Sequence, residues 1–168
     1  KIMLNDYIET LINLTVKIKR VSRIIKSIAE ENDDAKLLMS MYGIGYYSAL
    51  MILTEIGDIR RFPDSEKLTS YAGLVPSSKR SGEVVKYGKI IKESNAWLRW
   101  ILIQCAHIHV RSYSWITQHY HKIAKKKGKQ KAVVAAARKM LKAMYCMLKE
   151  KEEFHAYRGG ALRKSIAG

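Results

Sequence analysis

This sequence predicts an all-α fold, and three observations lead to that prediction. Hydrophobic residues make up 48% of the 168 residues, enough for one domain with a buried core. Two prolines and ten glycines are few for a chain made of loops and tight turns. Apolar residues recur at helical spacing through most of the chain. Charged residues or histidine interrupt every long apolar stretch, so we expect no membrane span.

Residues 1–32 are predicted to form a coiled-coil helix. Apolar residues recur every seven positions in two series offset by three, which is the a/d pattern of a coiled coil. The two series are Leu4, Leu11, Ile18 and Ile25, and Tyr7, Leu14, Val21 and Ile28. We expect dimerisation, or pairing with another part of the parent protein, through residues 2–30. Ile8, Ile12 and Ile24 widen the stripe, so one amphipathic helix packed on its own domain is the alternative.

Residues 35–57 are predicted to form a helix, a short turn at Gly43-Ile44-Gly45, and a second helix. The pattern is typical of a helix-hairpin-helix DNA-binding element. Its glycines let the backbone bend tightly and bring amide groups close to a phosphate at the start of the second helix. Gly43 and Gly45 are therefore candidate nucleic-acid-binding residues. The alternative is an ordinary pair of antiparallel helices with glycine at the first C-terminus.

A short helix is predicted over Glu66–Ala72, with Asp64 or Ser65 as its N-cap and Gly73 at its end. The basic segment Leu74–Ile91 follows, and we expect it to be an irregular loop because proline, serines and glycine interrupt it. Within this segment, Glu83–Ile91 could form a short hairpin that turns around Lys86-Tyr87-Gly88.

Two long helices are predicted after the loop. The first runs from about Ala96 to His119 behind a cap at Ser94-Asn95, and the second from Lys131 to about Lys151. We expect the lysine-rich run from Ile123 to Gln130 to contain the break between these two helices. The core of the first helix is predicted to include Trp97, Trp100, Ile101, Ile108 and Trp115. The apolar face of the second is predicted to contain Val134, Ala137, Leu141, Met144, Tyr145 and Leu148. Residues 35–150 then make one domain, and residues 151–168 a loose tail.

The charge is concentrated in the second part of the chain. Residues 1–60 contain 8 basic and 8 acidic residues, whereas residues 61–168 contain 23 basic and 7 acidic residues. The later part therefore carries the whole net charge of +16. A positive field of this density attracts polyanions and releases their counterions, so nucleic acid is the expected partner. An anionic membrane surface is the alternative, but no Trp-rich basic amphipathic helix supports it.

Metal and disulfide chemistry have little support in the sequence. Cys105 and Cys146 lie in separate helical patterns, which favours reduced thiols and a cytoplasmic location. The His-x-His pairs at 107–109 and 119–121 point their rings to different sides of a helix, so neither pair chelates a metal. We therefore expect no metal site within this chain.

Ser81 is the candidate for chemistry, because it lies in the polar segment next to Lys79 and Arg80. A hydroxyl among cations can attack a phosphate or simply bind one, and the residues alone leave both open. The further candidates for phosphate binding are Lys86, Lys89, Lys92 and Arg99.

An ordered series of motifs resembles a known family over roughly residues 35–150. The motifs are Gly43-Ile44-Gly45, Leu53-Thr54-Glu55-Ile56-Gly57-Asp58-Ile59, Arg61-Phe62-Pro63, Tyr71-Ala72-Gly73-Leu74-Val75-Pro76, Ser81-Gly82, Gly88-Lys89-Ile90, Asn95, Leu98-Arg99-Trp100, Lys126-Lys127-Gly128-Lys129, Lys131-Ala132, Ala136-Ala137-Arg138-Lys139 and Met147-Leu148. Together they resemble the C-terminal serine domain of insertion-sequence transposases that join it to a DEDD nuclease-like domain. Members are described as bridge-RNA-guided recombinases, and site-specific DNA invertases are relatives.

The resemblance implies a DNA-binding part of a transposase or recombinase that cuts and rejoins DNA strands by transesterification. Ser81 then matches the nucleophile, and a guide RNA is an expected partner. Mg²⁺ is expected on the acidic tetrad of the upstream domain, which has no counterpart in this sequence. We therefore expect a fragment that is inactive alone, acting in the prokaryotic cytoplasm on the nucleoid. The alternative is a non-catalytic nucleic-acid-binding and dimerisation module. Ser94 stands where relatives usually carry glycine.

Overall fold

The computed structural model describes residues 2–81, 84–90 and 94–156, and of residues 76–81 and 84–90 it describes the backbone alone. The described residues are mainly helical, as predicted, with one antiparallel β-hairpin. The elements are α1 Ile2–Glu31, α2 Asp33–Met39, α3 Tyr46–Ile56, a 3₁₀ turn Ile59–Arg61, α4 Ser65–Tyr71, β1 Pro76–Ser81, β2 Val84–Ile90, α5 Ala96–His109, α6 Trp115–Lys127 and α7 Lys129–Glu150.

The core is built around α7, which packs against α4, α5 and α6, while α3 packs against α5. Apolar residues of α7 recur at helical spacing and are buried along its length, among them Ala137, Leu141, Met144 and Leu148. The predicted apolar face of this helix is thereby confirmed except at Val134, which is only half-buried. Each buried Leu or Met contributes about 1.5–3 kcal/mol through the hydrophobic effect, so α7 is the main organiser of the domain.

The prediction of one helix from Ala96 to His119 is wrong, because α5 ends at His109 and α6 begins at Trp115. Ser114 is the N-cap of α6, and its side chain accepts a hydrogen bond from the Thr117 amide at 3.2 Å. A buried serine that caps a new helix offers the backbone an alternative to continuing the old one. The predicted break in the lysine run is confirmed, but it is confined to Gly128, because α6 continues to Lys127 and α7 begins at Lys129.

The predicted core of α5 is only partly correct. Ile101 is buried and Trp115 is half-buried, but Trp97, Trp100 and Ile108 are 64%, 47% and 45% exposed. The buried stripe of α5 instead contains Leu98, Ile101, Leu102, Cys105 and Ala106. Residues at 97 and 100 lie beside this stripe, so their indole rings face outward.

The predicted N-terminal helix is confirmed by α1, whose apolar residues from Met3 to Ile28 are mostly exposed, between 46% and 70%. Only the end of α1 reaches the core, where Ala29 is buried and the helix packs against α2 and α3. None of the helices in the described ranges is both long and apolar enough to cross a bilayer.

The expectation of an irregular segment after Leu74 is wrong, because β1 and β2 pair in an antiparallel hairpin. The suggested reversal around Lys86-Tyr87-Gly88 is wrong too, since these residues lie within β2 and Ser81 pairs with Val84. Proline is tolerated as the first residue of a strand, and Val84, Val85 and Tyr87 favour the strand conformation. The ladder is irregular between Pro76 and Ser78.

The chain after α7 contacts the core before it leaves the described ranges. Lys151 has a left-handed φ of 56° and ends the helix. The Phe154 amide donates to the Ser40 hydroxyl at 2.9 Å, and the Phe154 ring stands edge-on to His109 at 5.6 Å. Residues 152–156 therefore pack on the domain without regular structure, and residues 157–168 lie outside the described part of the chain.

Candidate nucleic-acid interface around the serine hairpin

The hairpin begins and ends on a compact base formed by Gly73, Ser94 and Arg99. Gly73 has a φ of +67°, a conformation that favours glycine. A methyl group added there would collide with the Ser94 hydroxyl and the Arg99 guanidinium. Arg99, half-buried on α5, donates a hydrogen bond to the Ser94 hydroxyl. The arginine therefore lies where the chain enters and leaves the hairpin.

A network of hydrogen bonds ties the two sides of this base together. The Asn95 amide donates to the Glu55 carboxylate at 2.7 Å and to the Tyr71 hydroxyl at 3.1 Å. The Asn95 backbone N–H donates to the Tyr71 carbonyl at 2.8 Å. Asn95 also caps α5, since its side-chain oxygen accepts from the Leu98 amide at 2.9 Å, as the sequence predicted. One residue thus connects α3, α4 and α5 at the foot of the hairpin.

Arg61 adds a cation to this base. Its guanidinium lies over the rings of Phe62 and Tyr71, at 4.6 and 4.8 Å from their centroids. Hydrogen bonds from Asn95 and then from Arg61 lower the pKa of the Tyr71 hydroxyl below its ordinary value. The base therefore carries two arginines, Arg61 and Arg99, held by specific contacts.

The predicted hairpin residues lie on paired strands. Ser81 is the last residue of β1, after Lys79 and Arg80, and Lys86 and Lys89 lie in β2. For these residues the structure describes the backbone alone. The register pairs Lys79 with Lys86. Lys92 lies outside the described residues. The six residues of β1 span about 20 Å, which separates Ser81 from the Arg99 base along the chain.

The two glycines of the α2–α3 turn have structural roles that the sequence did not reveal. Gly43 has a φ of +91°, and a methyl group there would come within 3.0 Å of the Cys105 carbonyl oxygen and the His109 amide nitrogen. Its absence of a side chain lets the turn pack tightly on α5. Gly45 is the N-cap of α3, and its amide donates to the Ser48 hydroxyl at 2.9 Å. Phosphate binding by this turn stays a prediction.

His109 joins the α2–α3 turn to the break between α5 and α6. Its fully buried ring donates from Nδ1 to the Tyr42 carbonyl at 2.7 Å and accepts at Nε2 from the Ser114 hydroxyl at 2.8 Å. Burial lowers the pKa of this imidazole, and the hydrogen bond to Tyr42 opposes the shift. The neutral ring therefore has a structural role, which the sequence did not predict.

Glu66 is held by two cations of α7. Its carboxylate pairs with Arg138 at 2.7 Å and with Lys142, which is buried. Partial burial alone would raise its pKa, but Lys142 and Arg138 together hold it at about 2. Asp64 caps α4 through the Lys67 amide at 2.7 Å, as predicted.

These carboxylates are therefore engaged in structural contacts. Within the described ranges no three His, Cys, Asp or Glu side chains converge as metal ligands. Mg²⁺ on another domain stays a prediction.

Two surface features are not predicted by the sequence patterns. Trp97 and Trp100 form an exposed edge-to-face pair with centroids 6.2 Å apart, directly beside Arg99. They are offset from the Leu98 stripe, but only the packing of α5 against its neighbours decides which stripe is buried. The second feature is an open cleft between α6 and α7, lined by Trp115, Gln118, His119, Lys122 and Lys139. Lys139 is distant in sequence from the others, so no local pattern indicates it.

The fold and this interface define a basic helical domain that presents a serine-bearing hairpin on a hydrogen-bonded base. Comparison with known proteins then gives the family: residues 35–122 match the Transposase IS116/IS110/IS902 family. The chain is 31% identical to the transposase for insertion sequence element IS1111A of Coxiella burnetii, over 96% of this chain and 44% of that protein. It is 30% identical to the pilin gene-inverting protein of Moraxella bovis, over 80% of this chain and 43% of that protein.

The insertion element IS116 uncharacterized 44.8 kDa protein of Streptomyces clavuligerus is 26% identical, over 89% of this chain and 38% of that protein. The chain belongs to the Transposase IS116/IS110/IS902 family. It spans less than half the length of these relatives.

Proposed function

We propose that this chain is the DNA-binding and serine-bearing part of a transposase or recombinase. Membership of a family whose relatives are named as an insertion-sequence transposase and a gene-inverting protein is the observation that carries the proposal. In this function the chain would grip DNA and contribute Ser81 to cutting and rejoining strands. A domain outside this sequence would supply Mg²⁺.

The charge pattern supports the proposed binding of nucleic acid. Paired Lys79 and Lys86 bring two like charges to opposite positions of the hairpin. Like charges directly opposite each other destabilise a strand pair, and a bound phosphate would offset that cost. Arg80, Lys89 and Lys92 would add further phosphate contacts on the same segment. Arg99 at the base would hold the strand where it leaves the hairpin.

The Trp97–Trp100 pair supports contact with unpaired bases. Aromatic rings beside arginine stack on nucleobases, and each stacked base contributes about 1–3 kcal/mol. The pair lies on α5 next to Arg99, so bases stacked there would be continuous with phosphates held at the hairpin base. Such a surface suits a melted DNA strand or the guide RNA that the family resemblance implies. Gly43 and Gly45 would present the α3 N-terminus to a neighbouring phosphate.

The proposed chemistry is a pair of transesterifications. The Ser81 oxygen forms a bond to phosphorus while one ester bond between that phosphorus and deoxyribose breaks. The hydroxyl proton passes through solvent to the departing deoxyribose oxygen. A hydroxyl of the incoming strand then attacks the same phosphorus, the bond between that phosphorus and the Ser81 oxygen breaks, and the proton of the attacking hydroxyl passes through solvent to the serine oxygen. The lysines and arginines would stabilise the charge that develops on the phosphoryl oxygens.

The exposed apolar stripe of α1 supports a homo-oligomer. Twelve large apolar side chains in the described part of this helix are at least 46% exposed, an unusual surface for an isolated protein. Pairing with the same helix of a second copy would bury the a/d series. Oligomerisation would bring the serine hairpin of one copy near the acidic domain of another, which is how a composite active site would form.

The test uses the whole gene product with Mg²⁺, the element-encoded RNA and labelled target DNA. A protein–DNA adduct that survives denaturant is expected, and mass spectrometry should map it to Ser81. Ser81→Ala should lose the adduct and strand exchange while keeping DNA affinity, and Ser77→Ala is the matched control in the same strand. Binding and cleavage without an adduct would refute the nucleophile and favour a non-catalytic module that grips nucleic acid.

A further inference from the structure

The cleft between α6 and α7 has the shape and composition of an anion site. Trp115, Gln118, His119 and Lys122 recur at helical spacing on one face of α6, and Lys139 faces them from α7. The cleft has a volume of about 210 Å³, below the range of pockets that enclose drug-sized ligands. It therefore fits one charged group of a longer molecule better than a complete small ligand.

Hydrogen-bond donors dominate this cleft. Two lysines, an imidazole and a carboxamide line it, and none of the described lining residues is acidic. A phosphodiester only accepts hydrogen bonds, so it matches this set of donors. The Trp115 ring adds a flat wall against which a sugar or base could pack. That wall is held in place, because Phe154 packs against Trp115 at 6.5 Å and the Trp115 amide donates to the Ala156 carbonyl at 3.2 Å.

The electrostatics of His119 support an anion at this place. Burial lowers the pKa of the His119 imidazole, and the charges of Lys139 and then Lys122 lower it further. Among the described residues, the charges that act on this ring from α6 and α7 are those of Lys122 and Lys139. An anion between them would reduce this repulsion and favour a protonated imidazole, which could then donate to the anion.

We infer that the α6/α7 cleft binds a backbone phosphodiester of nucleic acid, as a contact separate from the serine hairpin. No residue of the cleft belongs to the hairpin or its base, so the two contacts would hold a strand at two points. The inference rests on the proposed nucleic-acid-binding function. Free inorganic phosphate shares the same chemistry and is the competing source of the anion.

The first experiment measures binding of a fluorescent oligonucleotide to the whole gene product at several salt concentrations. Lys122→Gln combined with Lys139→Gln should flatten the plot of log affinity against log salt by about 0.7–0.9 in total, because one phosphate contact is lost. Lys122→Gln alone, on an exposed side chain, should give about half that change. Lys127→Gln removes the same charge from an exposed position of α6 outside the cleft and should leave the slope unchanged.

The second experiment follows the His119 ring by NMR during a pH titration, with oligonucleotide or with inorganic phosphate. Oligonucleotide should raise the pKa of His119, and millimolar phosphate should not. Equal shifts with phosphate alone would assign the cleft to a free anion and overturn the inference. A pKa of His119 that oligonucleotide leaves unchanged would also overturn the inference. So would a change in salt slope for Lys127→Gln equal to that for Lys122→Gln. In either case the proposed function would stand as long as the wild-type protein binds the oligonucleotide. If the wild-type protein did not bind the oligonucleotide at all, the proposed function itself would be refuted.

Discussion

Replacing Glu66 by glutamine should destabilise the domain measurably at neutral pH. The pKa of Glu66 falls from an ordinary 4.5 to about 2 in the folded protein, because Lys142 and Arg138 outweigh partial burial. That difference corresponds to roughly 3 kcal/mol of stability. Since 42% of the side chain is exposed, solvent screening reduces this to about 1–2 kcal/mol. The melting temperature should fall by about 2–8 °C.

The same shift fixes the pH dependence of the effect. A carboxyl whose pKa is depressed on folding stabilises the protein above its ordinary pKa, and this contribution is lost as the pH falls from about 4.5 towards 2. Urea denaturation followed by circular dichroism at pH 6, 4.5 and 3 measures it. The difference between wild type and Glu66→Gln should fall by about half or more between pH 6 and pH 3.

A matched control separates this pair from ordinary surface charge. Glu30 pairs with Lys26 at 3.5 Å on exposed α1, so Glu30→Gln should change stability by less than about 0.5 kcal/mol at every pH. A Glu66→Gln effect that is equal at pH 6 and pH 3 would show that lost packing, not charge, is responsible. An effect no larger than that of Glu30→Gln would refute the reasoning.

Three further substitutions test the hairpin base and the helix break. Gly73→Ala should lower the free energy of unfolding by about 2–3 kcal/mol in a denaturation curve, because backbone strain and a collision add. Gly57→Ala, with a φ of +61° and open space around it, should lower it by about 1 kcal/mol. Equal losses would contradict the collision. Asn95→Ala should cost about 1–2 kcal/mol more than Asn32→Ala, since Asn32 only caps a helix while Asn95 also bonds two other side chains. His109→Gln should destabilise the domain at pH 7 and weaken its loss of stability as the pH falls below 6.5, because the buried imidazole of the wild type resists protonation. An unchanged pH profile by urea denaturation would contradict the neutral state assigned to His109.

Local signals in the sequence predict several features correctly. Asp64 and Asn95 are recognisable as helix caps because a cap needs only one short polar side chain and the next few amides. The apolar spacing of α7 predicts its buried face for the same reason, since one helix carries the whole pattern. The roles of Ser81 and its basic neighbours follow from the family motifs alone and stay a prediction.

Features set by tertiary contacts are not predictable in this way. The stripe of α5 that faces α7 decides that Trp97 and Trp100 are exposed, whereas their apolar character alone suggests a core. The break before α6 depends on His109, whose two hydrogen-bond partners lie 67 and 5 residues away in sequence. Aromatic residues and histidine at helical spacing indicate neither the exposure of the two tryptophans nor the break before α6.

Different residues anchor the hairpin and carry its charge, so the proposed catalysis and the proposed binding can be tested separately. Asn95, Tyr71 and Glu55 fix the foot of the hairpin through hydrogen bonds, whereas the lysines of β1 and β2 carry its charge. Because β1 spans about 20 Å, a small tilt at the foot would displace Ser81 by several ångströms. A misplacement of about 1 Å can cost a reaction 100-fold, while phosphate contacts tolerate it far better. Substitutions at the hairpin base should therefore reduce strand exchange much more than DNA affinity, and substitutions of the lysines should reduce both.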